Sequence, residues 1–310
     1  MSITEDEITE WFARRSSLHA AEFPIGIGDD MAQIRLADDV SVLITTDMLL
    51  EGVHFDLQKC TVKQAGYKAM AASLSDCAAM ATVPIAAVVS VALPKNFGEK
   101  ELKQLHSGIT RAGDKFDCPL VGGDITCWQA SQALVISVAM LSRTAGSKPV
   151  GRHGANVGDV ICVTGALGGA MYGKHLEFEP RVREAIKITA MVNVNAMIDI
   201  SDGLSSDLNR ICRASRVGAI INAAQIPVSD DATRGDNPLS SALNHGEDFE
   251  LLFVLSPAEC HKLLSEWSGP VPITQIGTIT DATKMQIMQI KMPDGQLRDL
   301  QPQGYDHLRD

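Results

Sequence analysis

The stretch SRTAGSKPVGRHGANVGD, residues 142–159, divides the chain. It is dense in glycine and polar residues, and it lies between two apolar, strand-like segments, 134–141 and 160–164, so it marks the seam between two structural units. Upstream of it, Ile8, Trp11 and Phe12 fall with Ile3 on one helical stripe over 3–15, and Thr4 followed by Glu7 has the spacing of a capping box. Strands are expected over 40–46 and 85–93, a long Ala- and Met-rich helix over 61–80, and an amphipathic helix over 99–116. Downstream, strands are expected over 160–164, 196–200, 219–222, 249–255, 274–279 and 285–291, and helices over 180–194, 204–215 and 257–267. Strands and helices therefore mix in both units, 1–145 and 146–310, which is the pattern of a layered α/β (α+β) protein.

With 310 residues and 45% hydrophobic side chains, the chain is long enough to bury a core in each unit. Its formal net charge of -11 excludes a nucleic-acid surface, which needs clustered Lys and Arg. An anionic ligand would then require another source of positive charge, and a divalent metal on carboxylates supplies one. The seven cysteines are widely spaced, without a CxxC pair, and read as reduced thiols. No apolar run has the length of a membrane span, and the acidic start MSITEDEITEWFARR is unlike a signal peptide, so the cytoplasm is the expected location.

The aspartates carry the chemistry. Asp29 and Asp30 stand side by side in GIGDD, where adjacent carboxylates repel unless water or a cation lies between them. A solvated turn is the plain alternative. Asp47 in LITTDM and Asp124 in PLVGGD each close an apolar run, and strand ends are common ligand sites; an N-cap or an Asx turn accounts for either one alone. Asp76, inside the helix expected over 61–80 and surrounded by Ala, Leu, Cys and Met, needs a cation; Lys68, two turns earlier, could provide it through an ordinary salt bridge. Asp199 and Asp202 sit in IDISDGLSSDL where a strand runs into a helix, so capping by Ser201 or Asp202 competes with an anion-binding helix start. Seven such aspartates, with oxygen as the only ligand type, point to hard cations such as Mg2+ in the company of phosphates.

One apparent phosphate loop fails. Gly168, Gly173 and Lys174 have P-loop spacing, but His175 stands where the metal-binding Ser or Thr belongs.

Taken in order, GIGDDMA, TTDMLLEGVHF, YKAMAASLSDCAAM, VGGDIT, GRHGANVGD, IDISDGLSSDL, HGEDFELLF and GYDHL closely resemble the thiamine-monophosphate kinase family of the aminoimidazole-ribonucleotide-synthetase-like superfamily. The resemblance runs from about residue 23 to the last residues, and the order of all the blocks is far more specific than any single one. It implies ATP-dependent phosphorylation of thiamine monophosphate to thiamine diphosphate by direct in-line transfer. It implies Mg2+ on Asp30, Thr45, Thr46, Asp47, Asp76, Asp124, Asp199 and Asp202, with Asp29 a weaker candidate and the threonines acting through hydroxyl or backbone oxygen. Gly123, Asp124, Arg152 and Ser201 correspond to ATP contacts, and His54, Glu247 and Tyr305 to acceptor contacts. Taken singly, Arg152 could be a salt-bridge partner of Asp159 or another carboxylate, His54 a structural histidine and Tyr305 a tail anchor. No dedicated base is implied, because the acceptor oxygen is already ionised; Asp202 and Arg152 would position the reactants. A homodimer is implied too, in which the N-terminal sheets of two copies close into a shared barrel.

Two departures stand out. His245 replaces the first Gly of the family's GGEDYELLF, and GALGGAMYGKHLEFEPR is a compact version of a longer family segment. They leave open a catalytically altered nucleotide-binding protein or a sister ATP-using enzyme with another acceptor. Selenophosphate synthetase would need a reactive Cys near the N-terminus, but the first is Cys60, and hydrogenase-maturation proteins would need a C-terminal Cys where this chain has LRD. No water-activating set for a phosphohydrolase is recognisable.

Overall fold

A computed structural model describes residues 4–308 except 17, 39, 131 and 283–287. The first unit runs α1 (Glu5–Arg15), β1 (Ala32–Ala37), β2 (Val40–Leu50), α2 (Val62–Ala79), β3 (Thr82–Leu93), α3 (Glu99–Gly113), β4 (Leu120–Cys127) and β5 (Val135–Thr144). The second runs β6 (Val160–Thr164), α4 (Lys174–Glu177), α5 (Val182–Met191), β7 (Ala196–Asp199), α6 (Leu204–Ser215), β8 (Gly218–Asn222), α7 (Pro238–Asn244), β9 (Leu251–Leu255), α8 (Pro257–Glu266), β10 (Ile273–Thr280), β11 (Met288–Lys291) and β12 (Leu297–Asp299). Residues 285–287 of the last strand expected before the tail, and Ile3 of the first helix, lie outside the described residues.

The strands form a five-stranded sheet, β1-β2-β5-β3-β4, and a seven-stranded sheet, β12-β11-β8-β10-β6-β9-β7. Both are mixed: β3 pairs with β4 and β11 with β8 in parallel, and the other ladders are antiparallel. This is the layered α/β architecture expected. Residues 145–159 join the two sheets.

Helix α2 is the centre of the molecule. It is buried on nearly every side, packs on α3, on β5 and β2 of the first sheet, and on α5 and β7 of the second unit. Its small residues make this possible; an added Cβ on Gly108 of α3 would stand 2.0 Å from Lys63 O, so only glycine allows the two helices to approach so closely. One core cluster includes Leu43, Ile136 and Met140 of the first sheet, Met70 and Leu74 of α2, and Cys162 and Phe253 of the second sheet. The other lies on the far side of the second sheet, with Ile161, Val163, Ile198, Leu208 and Ile276. Burial on both faces explains why VICVT and LLFVL read as unbroken apolar runs. Each large side chain so buried contributes about 1.5–3 kcal/mol of transfer free energy.

Helix α1 is attached differently. The Thr4–Glu7 capping box forms as expected, but no residue of α1 is buried. Asp6 and Glu10 hold it by ion pairs to Arg210 and Arg213 of α6.

Candidate active site

Between the two units lies a cavity of about 770 Å³, in the range of small-molecule sites. Three carboxylates meet on its wall: ligand oxygens of Asp30, Asp76 and Asp199 lie within 4.8 Å of one another. Each comes from a different element. Asp30 belongs to the loop before β1, Asp76 to α2, and Asp199 ends β7. A fourth, Asp47 of β2, adjoins them and is coupled electrostatically to both Asp30 and Asp76.

Hydroxyls aim these groups. Thr45 donates to Asp76, Ser73 to Asp47, and Ser75 to Asp199 at 2.5 Å. Burial, followed by repulsion from Asp47, Asp199 and Asp30, pushes the Asp76 carboxyl well above the usual range; burial and Asp30 do the same to Asp199. Arg152 lays its fork on Asp30 at 2.7 and 3.3 Å, while its backbone N–H donates to Asp29 at 2.7 Å. One guanidinium against this set leaves negative charge uncompensated in a poorly hydrated place, which oxygen-seeking divalent cations relieve. The donor set therefore fits Mg2+.

Also lining the cavity, His54 follows β2 and accepts from Leu50 N–H through Nδ1 at 3.0 Å, leaving Nε2 as the N–H. Burial, with His307 and Lys68 nearby, lowers its pKa to about 4, so the ring is neutral near pH 7. Glu247 stands 2.6 Å from Lys68, and Tyr305 meets the His307 ring edge-on at 4.7 Å. The tail carrying Tyr305 is pinned to the start of α6: Gly304 N–H donates to Ser206 Oγ and Tyr305 N–H to Asp202 O.

Residues 28–144 match the family AIR synthase related protein, N-terminal domain, and residues 156–289 its C-terminal domain. Thiamine-monophosphate kinase of Rhodopirellula baltica is 36% identical over 96% of this chain and 95% of that protein, and the Bacillus subtilis enzyme of the same name is 30% identical over 94% and 96%. This chain belongs to the thiamine-monophosphate kinase family. The solved structure of AaThiL complexed with AMPPCP and TMP superposes with a TM-score of 0.82 at 28% identity, covering 98% of this chain and 97% of that one.

Most residues that the family resemblance singles out line the one cavity: Asp29, Asp30, Thr45, Thr46, Asp47, His54, Asp76, Arg152, Asp199, Ser201, Asp202, Glu247 and Tyr305. Gly123 and Asp124 do not line it. Asp124 is not at a strand end either: β4 continues to Cys127, and Asp124 pairs in register with Ser90 on the exposed face of the sheet's edge. Gly123 faces the other way, where a Cβ would stand 2.0 Å from Val89 O. Asp47 likewise lies within its strand, opposite Val138, because the antiparallel partner β5 carries β2 on to Leu50. Strand alternation puts Thr45 and Asp47 on the face toward α2 and the Thr46 side chain on the opposite, exposed face.

The salt bridges differ from those sequence spacing suggests. Lys68 does not pair with Asp76; eight residues of helix separate them by about 12 Å, and Lys68 turns instead to Glu247. Arg152 does form a salt bridge to a carboxylate, that of Asp30, while Asp159 accepts from Asn156 and Asn195. Asp202 is held by Arg210 at 2.6 Å, and the same guanidinium binds Asp207 at 2.6 Å. The failed P-loop is accounted for: Lys174 pairs with Glu250, and Gly168 N–H donates to Asp248. Sequence reasoning missed Ser73, Ser75, Lys68, Arg210 and His307. The SLSD run of α2, polar within an apolar helix, was the available signal for the serines.

Proposed function

We propose that this chain transfers the γ-phosphate of ATP to thiamine monophosphate, giving thiamine diphosphate and ADP. The observation that carries this is the convergence of Asp30, Asp76 and Asp199 in one cavity that is also lined by the neutral ring of His54, the Glu247 carboxylate and the Tyr305 ring. Asp30, Asp76 and Asp199 would hold Mg2+, with Asp47, Thr45 and Asp202 beside them. Bound there, Mg2+ would offset the charge of the polyphosphate and of the phosphoryl group in flight.

The chain's own residues supply position. Arg152 presents a planar fork that suits two phosphate oxygens as well as it suits Asp30. Ser201, on the cavity wall, offers a hydroxyl donor to an anion, while the backbone N–H groups of Asp202 and Gly203 are taken by Asp207. His54, with Nε2–H as donor, can hydrogen-bond the acceptor, and Tyr305 offers a ring face to a planar or cationic heterocycle. The attacking atom is a phosphate oxygen ionised at neutral pH, so alignment and charge compensation replace a general base.

The working unit is a homodimer in this proposal. The outer face of the five-stranded sheet exposes Ile44, Met48, Val88 and Leu141, and Val121 and Ile125 stand exposed on its free edge strand β4. A second copy on this surface would cover the apolar groups and give Gly123 and Asp124 a place beside a cleft. Residues 1–145 then serve ATP, metal and dimer, and 146–310 contribute to the ATP and substrate cleft. No described helix is long and apolar enough to cross a membrane, and we place the reaction in the cytoplasm, where ATP is supplied.

The test mixes protein, ATP, Mg2+ and thiamine monophosphate and follows the products. Thiamine diphosphate should appear in step with ADP. Free phosphate without thiamine diphosphate, or no product while AMPPCP still binds, would remove the acceptor assignment.

A further inference from the structure

Lys68 is the one lysine among the buried charged residues described, with 1% of its side chain exposed. It lines the cavity and is not among the groups that aim Asp30, Asp76 or Asp199. Its ammonium reaches two segments from different halves of the molecule: Glu247 Oε2 at 2.6 Å, ahead of β9, and the backbone oxygen of His54 at 2.5 Å, after β2. We infer that Lys68 is a positioning residue for the acceptor, fixing the His54 turn and the Glu247 carboxylate at the separation that the heterocycle of the acceptor requires.

The geometry around Glu247 supports this. Its φ of 61° is left-handed, a conformation that costs a non-glycine residue energy unless neighbours enforce it. Its N–H donates to Ser201 O at 2.7 Å, which fixes one side of the residue. The carboxylate end is fixed by Lys68. Preceding Gly246 also has a left-handed φ, and a Cβ there would stand 2.6 Å from Ser201 O, so the loop is pressed against the turn that carries Asp202. His54, meanwhile, holds its ring through Nδ1 and Leu50 N–H, and its main chain through Lys68. Without the ammonium, the backbone oxygen of His54 and the carboxylate of Glu247 lose their common anchor on α2.

The pairing also defines the charge of this end of the cavity. Lys68 and Glu247 cancel, so an acceptor ring meets a neutral ion pair, with the carboxylate still 21% exposed and able to accept a hydrogen bond. Recognition there is directional, by hydrogen bonds and ring contact, and not a bulk attraction for cations. This contrasts with the negative carboxylate end about the metal.

The inference rests on thiamine monophosphate being the acceptor, and the test separates the two. Calorimetric titration with thiamine monophosphate and, separately, with Mg2+–AMPPCP is applied to the full-length wild type, to Lys68→Met, to Glu247→Gln and to the double variant Lys68→Met/Glu247→Gln. Lys68→Met is expected to bind thiamine monophosphate roughly tenfold or more weakly, the scale of breaking one buried ion pair, with AMPPCP affinity within about twofold of wild type. The double variant removes the orphaned carboxylate and is read against Glu247→Gln alone if Lys68→Met fails to fold: positioning of the His54 turn by Lys68 predicts weaker thiamine monophosphate binding in the double variant than in Glu247→Gln with AMPPCP affinity kept, and equal affinity in the two would overturn it. Equal loss for both ligands, or wild-type affinity for thiamine monophosphate in a folded variant, would overturn the positioning role. A wild type that binds AMPPCP and no thiamine monophosphate would overturn the acceptor itself.

Discussion

Two groups of buried acids in this molecule have opposite surroundings. Glu250, 1% exposed, receives Arg181 through two bonds of 2.7 Å, Lys174 at 2.8 Å and Thr164 Oγ1 at 2.8 Å. Its charge is more than matched, and every lone-pair direction has a donor. Asp30, Asp76 and Asp199, with Asp47 beside them, share one guanidinium and the hydroxyls of Thr45, Ser73 and Ser75. A satisfied buried acid holds the fold together; an under-neutralised group of acids in a cavity is suited to binding cations. The same residue chemistry thus separates into structure and function by how its charge is balanced.

The contrast predicts opposite responses to removing one charge. Asp76→Asn should cost turnover at least about 100-fold, the scale of losing one electrostatic contact to the transferring group, with the fold retained. Steady-state formation of thiamine diphosphate, alongside circular dichroism, measures both. Glu250→Gln should act through stability, because it leaves the half-buried Arg181 and Lys174 short of their partner; a loss of about 1–3 kcal/mol in urea unfolding is expected. A stable Glu250→Gln protein with poor turnover would erase the distinction.

Asp248 sharpens it with a smaller effect. Burial pushes its carboxyl up to about 7, against a lowering by Gly168 N–H. The folded state therefore keeps a proton that the unfolded state releases near pH 4, and the sign follows: stability is full below about pH 4 and falls as pH rises through about 7. Asp248→Asn cannot ionise. Its unfolding free energy should exceed that of wild type by on the order of 1–2 kcal/mol more at about pH 8 than at about pH 5, and an identical pH dependence would refute the burial effect.

Much of this was legible in sequence because it is local. Helix α6 forms over Leu204–Ser215, the span its periodicity indicates, and the α1 capping box is a four-residue signal. The order of the blocks gave most of the cavity's residues, since each block is a turn or strand end that folds close to its own sequence. What escaped was set by pairing across the chain. The continuation of β2 through the polar Thr45–Asp47 run depends on β5, far downstream, and the short, largely exposed β1 has no clean alternation to announce it. Lys68 gave no sign of its real partner, because Glu247 reaches it only after the two halves come together. Asp124 could be read as a strand end only while the length of β4 beside β3 was unknown.

The central claim, that the acidic cluster is held under-neutralised so that it can take a cation, is tested most directly by thermal unfolding with and without Mg2+ and no nucleotide. The account predicts that metal-free Asp76→Asn unfolds at or above the temperature of metal-free wild type, since it relieves repulsion, while added Mg2+ raises wild type by a few degrees and leaves the variant unmoved. An equal Mg2+ shift in both proteins, or a metal-free Asp76→Asn that melts well below wild type, would contradict it.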